Sequence, residues 1–262
     1  MNDLAITTMK IGMLRFDLPA IYGLADDHPF AGQVVDSPML CYHIAWPGRA
    51  LLVDAMAYDI KEIPEEFQVD GYVPPPSLPE QMAQRRLDLR AVRDVVITHA
   101  HFDHYGALSK EVNGNYVPSF PQARHYLSAA DWDPEEFSEF DQRTLGLMYE
   151  RDLLALVDGE LDLGNGLAIL PAPGETDGHQ ILSLRYGKQV YYFVGDLYHH
   201  VLEFADTEAN VNWADENAMA ESKTMFMKMA VQSGALVFFS HIEGAYTVLD
   251  YGEGGLSWER VE

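Results

Sequence analysis

The sequence predicts a layered α/β fold in which strands and helices are mixed along the chain. Its 262 residues are 48% hydrophobic and 22% charged, which is typical of a globular protein with a substantial core. Short runs rich in Val, Ile, Phe and Tyr alternate with segments of helical periodicity. This alternation favours helices packed on sheets.

Short apolar runs predict the strands of this fold. In chain order they cover 51–55, 94–99, 167–174, 180–187, 189–196 and 235–241. The letters YGKQ at 186–189 lie between two of these runs and predict a tight hairpin turn. Cys41 is expected to pack within a strand as a small apolar residue.

Two longer segments, 143–157 and 214–232, have the spacing of helices. Asn212 is the expected N-cap of the second helix, and Asp215 and Glu216 suit its first turn. Apolar residues near helical spacing predict the face of that helix that packs in the core: Met219, Met225, Phe226 and Met229.

The rest of the chain shows no repeat or low-complexity tract, so we expect residues 1–262 to form a single domain. The prolines of GYVPPPSLPE at 71–80 make that segment extended and semi-rigid. We expect the surrounding stretch, 58–80, to be either a lid over the site or a dimerisation arm. A dimerisation arm would imply a homodimer. The acidic stretch 131–141 is expected to be a solvated face.

The charge balance excludes some classes of partner. With 41 acidic and 17 basic residues, the net charge is −24, which disfavours nucleic acids and anionic membranes. The single cysteine excludes an internal disulfide, and the N-terminus lacks the pattern of a secretory signal. No apolar run is long enough for a transmembrane helix. We therefore expect a cytoplasmic protein with no membrane or nucleic-acid partner.

Chemically active side chains fall at the ends of the predicted strands. Asp54, His99, Asp196 and His241 each end an apolar run, and His179 directly precedes one. Sites in layered α/β folds are built at strand ends and in the loops beyond them. We therefore expect these five side chains to contribute to one site.

The stretch HAHFDH at 99–104 has the composition of a metal site. His99 and His101 are two residues apart and can point the same way in an extended turn, and Asp103 and His104 follow. Imidazole and carboxylate donors suit zinc, iron, manganese or nickel. Four donors exceed what one metal with an open position needs, so the stretch favours two metals. The further ligands would come from residues later in the chain: His179, Asp196 and His241.

The ordered set of motifs resembles the metallo-β-lactamase fold superfamily. It consists of H-x-H-x-D-H at 99–104, a histidine after PAPGETDG, the aspartate of VGD and the histidine of FFSH. The resemblance implies an αββα sandwich, two mixed sheets flanked by helices, with a metal pair at the sheet edges. It assigns His99, His101 and His179 to the first metal. It assigns the second metal to Asp103, His104 and His241, with Asp196 as the bridge. Two Zn²⁺ ions are expected, with other divalent transition metals as alternatives.

Two positions depart from the superfamily pattern. The chain has VDAM at 53–56 where DTG is common, but Asp54 can still accept a hydrogen bond that orients a ligand histidine. In the motif PGHTxGH the first histidine is replaced by Glu175. That position is not usually a ligand, so we expect the site to be unaffected.

The resemblance implies a hydrolase in which two metals activate a shared water. Asp103 is then both a ligand and a catalytic residue. Tyr198 is expected to donate a hydrogen bond to the substrate, with core packing as the alternative. His199 and His200 are expected to contact the substrate.

The branch of the superfamily follows from what the chain lacks. Only 21 residues follow His241, so we expect no C-terminal domain of the glyoxalase II type, and the acidic charge disfavours nucleases. Two-zinc β-lactamases are usually secreted and commonly have cysteine where Asp196 stands. The remaining resemblance is to acyl-homoserine lactonases and related ester and organophosphate hydrolases, with a small, neutral substrate. The alternatives are a phosphotriester hydrolase, a mononuclear iron persulfide dioxygenase and a non-catalytic metal-binding sensor.

Overall fold

Two mixed β-sheets form the framework of the protein, as described by a computed structural model for residues 3–205, 209–250 and 256–261. The strands in chain order are β1 (Ala5–Asp17), β2 (Val34–Trp46), β3 (Arg49–Val53), β4 (Val92–Val96), β5 (Ser109–Val112), β6 (Asn115–Pro118), β7 (Arg124–Ser128), β8 (Leu154–Val157), β9 (Leu161–Gly164), β10 (Leu167–Pro171), β11 (Gln180–Tyr186), β12 (Gln189–Phe193), β13 (Leu236–Phe238), β14 (Ala245–Asp250) and β15 (Leu256–Val261).

The first sheet has the order β1-β2-β3-β4-β7-β8. Its first three strands are antiparallel, whereas β3, β4, β7 and β8 run parallel. The second sheet has the order β15-β14-β13-β12-β11-β10-β9, and its one parallel pair among the described strands joins β12 to β13. The parallel strands of each sheet end at loops that carry the candidate site.

Helices cover the outer faces of the sheets. They are α1 (Leu18–Tyr22), α2 (Leu78–Gln84), α3 (Phe102–Tyr105), α4 (Glu139–Asp141), α5 (Leu147–Glu150), α6 (Leu202–Ala205) and α7 (Glu216–Ser233), with a π-turn at Gln142–Gly146 joining α4 to α5. Among the described residues, no helix is both long and apolar enough to cross a bilayer.

Three apolar layers hold the sandwich together. Residues of both sheets meet in the middle layer, where Leu40 and Tyr42 pack with Phe193 and Phe238. One outer layer packs the opposite face of the first sheet against helices, and the other packs the second sheet against α7. Alternate residues of β2 and β12 therefore face different layers, as strand geometry requires. This arrangement confirms the αββα sandwich.

The predicted strands and hairpin are all present, although several strands end earlier than the apolar runs do. Tyr186 pairs with Gln189 across a turn in which Gly187 has a φ of 63°. Cys41 is buried in β2, as expected. Val53 ends β3, because Asp54 adopts a left-handed φ of 57° that an extended strand does not allow.

The prediction of one helix over 143–157 is wrong in its second half. The helical segment ends at Glu150, and Leu154–Val157 instead forms β8, which pairs in parallel with β7. Asp152 has a φ of 54°, a left-handed conformation that breaks the helix. The apolar letters LLALV fit a buried strand as well as they fit a helix.

The second predicted helix is present as α7, but its cap and face differ from the prediction. Asp215, not Asn212, is the N-cap, and its carboxylate accepts the Ala218 N–H at 2.9 Å. The Asn212 side chain instead donates to the Ala20 carbonyl at 2.8 Å. Met219 is buried as expected, whereas Met225 is 41% exposed.

Candidate metal centre

The candidate ligands meet at one edge of the sandwich. They lie in the loop and short helix α3 that follow β4, in the loops that follow β12 and β13, and in the loop that joins β10 to β11. His99, Asp103, His104, His179, Asp196 and His241 are all buried, and His101 is partly exposed. The sheet edges thus bring together residues that are up to 142 positions apart in the sequence.

The loop after β4 is held by the aspartate at the end of β3. Asp54 Oδ1 accepts the Thr98 N–H at 2.8 Å, and Oδ2 accepts the Thr98 hydroxyl at 3.1 Å. The same Oδ2 lies 3.0 Å from His104 Nδ1. A carboxylate bonded in this way fixes the ring and leaves Nε2 free to bind a metal.

His179 and His241 are fixed in the same way through Nδ1. His179 Nδ1 donates to the Ala172 carbonyl at 2.9 Å, and His241 Nδ1 donates to the Pro38 carbonyl at 2.8 Å. His241 Nε2 then faces Asp103 and Asp196 with its lone pair, whereas His179 Nε2 accepts the backbone N–H of Asp196. A backbone carbonyl on the far nitrogen is a common partner of metal-ligating histidine.

The donor atoms lie at separations suited to shared cations. Asp196 Oδ2 is 3.1 Å from His241 Nε2, 3.4 Å from His104 Nε2 and 3.9 Å from His99 Nε2. Asp103 Oδ2 lies 3.4 Å from His241 Nε2. Metal–ligand bonds of about 2.0–2.2 Å place neighbouring ligands about 3–3.5 Å apart. Asp196 has the central position expected of a bridge.

Six of the seven predicted ligands lie in three-residue groups whose donor atoms are within 4.8 Å of one another. The groups are His99/His104/Asp196, Asp103/His104/His241, His99/His101/Glu175 and Glu175/Asp196/His199. The seventh, His179, lies beside them: its ring centroid is 5.2 Å from that of His99, and its Nε2 accepts the Asp196 N–H at 3.2 Å.

Unpaired buried polar atoms provide a test of whether this set fits a metal. His104 Nε2 and Asp196 Oδ1 have no hydrogen-bond partner although both are buried, as is true of Glu175 Oε2 and His199 Nε2. Such atoms are costly unless something pairs with them. Divalent cations would satisfy them, and the mixture of imidazole and carboxylate suits zinc and its neighbours. The residues therefore fit the metal pair.

The electrostatics of the site also favour bound cations. Burial opposes ionisation of Asp196, but His241, His104 and His199 hold the pKa of its carboxyl well below the usual range. Burial, together with His104 and His101, lowers the pKa of His99 well below its ordinary value. Although burial opposes it, Asp103 and Asp196 raise the pKa of His104 well above its ordinary value, and Asp196 raises that of His241 to about 9, so bound metal ions would replace protons on these two rings.

Glu175, which stands where the superfamily motif has a histidine, belongs to this cluster, although the sequence assigned it no role. The carboxylate is buried, Oε1 lies 3.1 Å from His101 Nδ1, and Oε2 lies 3.4 Å from His199 Nε2. Oε1 also accepts the Trp213 indole N–H at 2.7 Å. The signal for Glu175 was its place in the motif, whereas nothing in the sequence pointed to Trp213.

The structure separates the three residues that were expected to contact substrate. His199 is buried beside Asp196, with Nε2 3.4 Å from Oδ2, and it lines the cavity described below. Tyr198 points the other way, into the core, against Phe204, Phe239 and Trp258. His200 packs its ring against Phe30. Neither Tyr198 nor His200 lines the cavity, so the expected hydrogen bond from Tyr198 to substrate does not fit this placement.

Asp131 joins the two loops that carry the histidines of the first metal. Oδ2 accepts the Ala100 N–H at 2.9 Å and the Thr176 hydroxyl at 2.8 Å, and Oδ1 accepts the Gly178 N–H at 2.8 Å. A Cβ at Gly178 would lie 2.5 Å from this carboxylate, so glycine is required for the contact. The interpretation of 131–141 as only a solvated face is therefore wrong at its first residue.

A cavity of about 520 Å³ opens above the cluster. Its floor includes His101, Asp103, Glu175, Asp196, His199 and His241. Its walls are mostly apolar: Leu14, Phe16, Ile21, Phe67, Phe102 and Trp213. A concave apolar site with a few convergent polar groups is typical of small-molecule binding.

Comparison with known proteins gives a consistent family. The model of the metallo-beta-lactamase superfamily matches residues 40–217. An N-acyl homoserine lactonase from Bacillus sp. is 22% identical over 219 residues, which cover 80% of this chain and 83% of the relative.

Solved structures share the fold over the whole chain. The hydrolase AbOPH of the beta-lactamase superfamily has a TM-score of 0.79 at 16% identity and covers 100% of this chain and 96% of its own. AidC, a dizinc quorum-quenching lactonase, has a TM-score of 0.71 at 17% identity and covers 100% and 99%. The family model extends over more than half of the sequence and includes six of the seven candidate ligands. The chain belongs to the metallo-beta-lactamase superfamily, and the named relatives to which it is similar are hydrolases.

Proposed function

We propose that this protein is a dinuclear-metal hydrolase that opens a lactone of the acyl-homoserine type or cleaves a related ester. The observation that carries the proposal is the cluster of His and Asp donors beside an apolar cavity, in which the buried His104 Nε2 and Asp196 Oδ1 have no hydrogen-bond partner. His99, His101 and His179 would hold one metal. Asp103, His104 and His241 would hold the other, with Asp196 between them, and Zn²⁺ is the proposed ion.

Two divalent ions in such a site supply a water of lowered pKa and polarise the carbonyl oxygen of a substrate. The protein supplies the proton transfers and the orientation. Asp103 lines the cavity beside His241, where it can accept the proton that the attacking water loses and return it to the leaving alkoxide. His199 Nε2, buried and without a hydrogen-bond partner, is placed to donate to the oxyanion that develops on the substrate.

The walls of the cavity support a substrate with a neutral head and an apolar tail. The rings of Phe16 and Phe67 pack edge to face with their centroids 6.0 Å apart, and the Trp213 ring centroid lies 5.9 Å from that of Phe67. The net charge of −24 also disfavours anionic substrates. The likeness to AidC, which is described as a lactonase, agrees with this class.

The aromatic walls also favour a second candidate, an aryl phosphotriester, because flat aryl groups stack on aromatic side chains. The same metal pair can stabilise the attacking and leaving oxygens at phosphorus. The attacked atom of this candidate is phosphorus, whereas that of a lactone or ester is a carbonyl carbon. A single substrate panel therefore compares the two candidates.

A substrate panel with purified, zinc-loaded protein tests the proposal. It contains acyl-homoserine lactones, simple lactones, aryl esters and phosphotriesters, and a parallel assay of iron-loaded protein measures oxygen consumption with a persulfide. Turnover of lactones or esters supports the proposal, and preferential turnover of phosphotriesters supports the second candidate. Oxygen consumption with one bound iron would show a dioxygenase, and bound metal without any turnover would show a sensor.

The Asp196→Ala variant provides the internal control of the panel. Because Asp196 is central to the donor cluster, this variant should lose most activity and metal while its circular dichroism stays native. Unchanged turnover would refute the bridging role. Asp133→Ala, which alters an exposed aspartate, should keep the activity of the wild type.

The arm at 58–80 contributes to the cavity, which supports the lid interpretation. Glu66 and Phe67 line the cavity within a short turn at Glu65–Phe67. Deletion of the exposed tip at 71–76 should raise KM if the arm covers the substrate, and it should halve the mass in solution if the arm forms a dimer. If neither changes, both roles are refuted.

A further inference from the structure

The buried Glu175 carboxylate has no assigned role among the seven candidate ligands. The residue follows Gly174 in the loop between β10 and β11, which also carries His179. It is 4% exposed, whereas most glutamates of this acidic chain lie at the surface. A buried carboxylate is retained only where cations or several hydrogen-bond donors compensate it.

The position of Glu175 relative to the first metal's histidines is that of a fellow ligand. Oε1 lies 3.1 Å from His101 Nδ1, which in turn lies 2.9 Å from His99 Nε2. The three donor atoms are all within 4.8 Å of one another. Donors bound at about 2.1 Å to one tetrahedral or octahedral ion lie about 3–3.4 Å from their neighbours. The spacing therefore matches adjacent sites on one metal.

The hydrogen bonds around the carboxylate are those of a ligating group. Trp213 Nε1 donates to Oε1 at 2.7 Å, as outer-shell donors do for carboxylates that bind metals. Oε2 is buried and has no hydrogen-bond partner, with His199 Nε2 3.4 Å away. Without a metal, His101 is the cationic partner of Oε1 and His199 that of Oε2, so a cation bound between Oε1 and His101 Nδ1 would take the place of the proton at that contact.

We propose that Glu175 is an additional ligand of the first metal position, beside His99, His101 and His179. The inference rests on the proposed metal centre and adds one anionic oxygen to it. With Asp196, the first position then has five protein donors, three nitrogen and two oxygen. The added ligand would raise the affinity of this position for metals that accept five or six mixed ligands, such as Mn²⁺, Fe²⁺ and Co²⁺, relative to its affinity for tetrahedral Zn²⁺.

The Glu175→Gln variant tests this role because it keeps the size of the side chain and an acceptor for Trp213 but removes the charge. Co²⁺ is titrated into metal-free protein against a chelator, and the visible absorption of the bound ion is recorded. We expect the affinity for one of two Co²⁺ ions to fall at least about tenfold. The absorption should become stronger, because Co²⁺ absorbs more strongly when it has fewer ligands.

Glu66→Gln is the matched control, since it makes the same charge change at an exposed residue of the same cavity. It should leave the affinity and the spectrum of bound Co²⁺ unchanged. If Glu175→Gln binds both Co²⁺ ions as tightly as the wild type with the same spectrum, the proposal is overturned. A wild-type protein that binds Co²⁺ as expected but turns over no substrate would refute the proposed function alone.

A measurement on the wild type keeps the test independent of how the variant folds. In a crystal structure of the Co²⁺-loaded protein, a Glu175 oxygen should lie about 2.0–2.2 Å from the first metal. A separation beyond about 3 Å would overturn the proposal.

Discussion

Replacement of Asp131 by alanine is expected to loosen two ligand loops at once. Its carboxylate accepts hydrogen bonds from Ala100 and from Thr176 and Gly178, which belong to the segments that carry His101 and His179. The three donors would lose their shared acceptor in the variant. Among the described residues, the Asp131 side chain makes no hydrogen bond to a candidate ligand, so its effect on metal binding is transmitted through the loops.

The magnitude follows from the three bonds. Hydrogen bonds to a charged acceptor contribute about 1.5–3 kcal/mol each, and the lower end applies because Asp131 is half-buried. The free energy of unfolding should therefore fall by about 4 kcal/mol, a large part of the 5–15 kcal/mol typical of a folded domain. Zinc affinity should fall about 10- to 100-fold, as for the loss of other groups that orient ligands.

Urea unfolding of metal-free protein measures the first quantity, and competition with a chelator measures the second. Asp133→Ala is the control, because Asp133 lies two residues away and is exposed, and its carboxylate accepts the Glu135 N–H at 3.1 Å as its one hydrogen bond within the described parts of the chain. The control should change the unfolding free energy by less than about 0.5 kcal/mol. If Asp131→Ala keeps both the stability and the zinc affinity of the wild type, the role of Asp131 in joining the loops is refuted.

Three further predictions test other parts of the structure. Asp54→Asn should weaken zinc binding about 10- to 100-fold, since Asp54 orients His104, and a chelator titration that shows wild-type affinity would contradict this. Tyr198→Phe should change kcat/KM by less than about threefold, because the Tyr198 ring lies in the core. A larger loss would show that the Tyr198 hydroxyl contributes to the reaction. Burial lowers the pKa of His125 to about 4. Between about pH 6.5 and 4, His125 is therefore protonated more fully in the unfolded chain than in the folded protein. The contribution of His125 to the free energy of unfolding should fall by about 2 kcal/mol between pH 7 and pH 5. His125→Gln should lose this component in urea titrations at pH 7 and 5, and an unchanged pH dependence would exclude His125 as its source.

The fold and the clustering of the candidate ligands could be predicted because their signals are local or ordered along the chain. Apolar runs that end in His99, Asp196 and His241 reveal both a strand and the residue at its end. Strand β1 was not predicted, because it mixes Thr, Lys and Gly among its apolar residues and so lacks a continuous run, and β2 was predicted only as a strand around Cys41. The turn at Asp152 was also missed, because a left-handed aspartate has no distinct pattern.

Contacts made by the tertiary fold could not be predicted in the same way. Asp131 lies in a run of acids that looks like solvated surface, and only the structure places it against Gly178. Glu175 could be found only as a departure from a motif, and its partner Trp213 is 38 residues away. Tyr198 and His199 are neighbours in sequence, yet the turn after Asp196 sends one side chain into the core and the other into the cavity.

The stoichiometry of metal against activity tests the central claim most directly. Metal-free protein is titrated with Zn²⁺ while its turnover of the best lactone or ester of the panel is measured. The proposed centre predicts that activity rises with binding and saturates at about two ions per chain. Full activity with one ion per chain, or in protein stripped of metal, would contradict a dinuclear hydrolase.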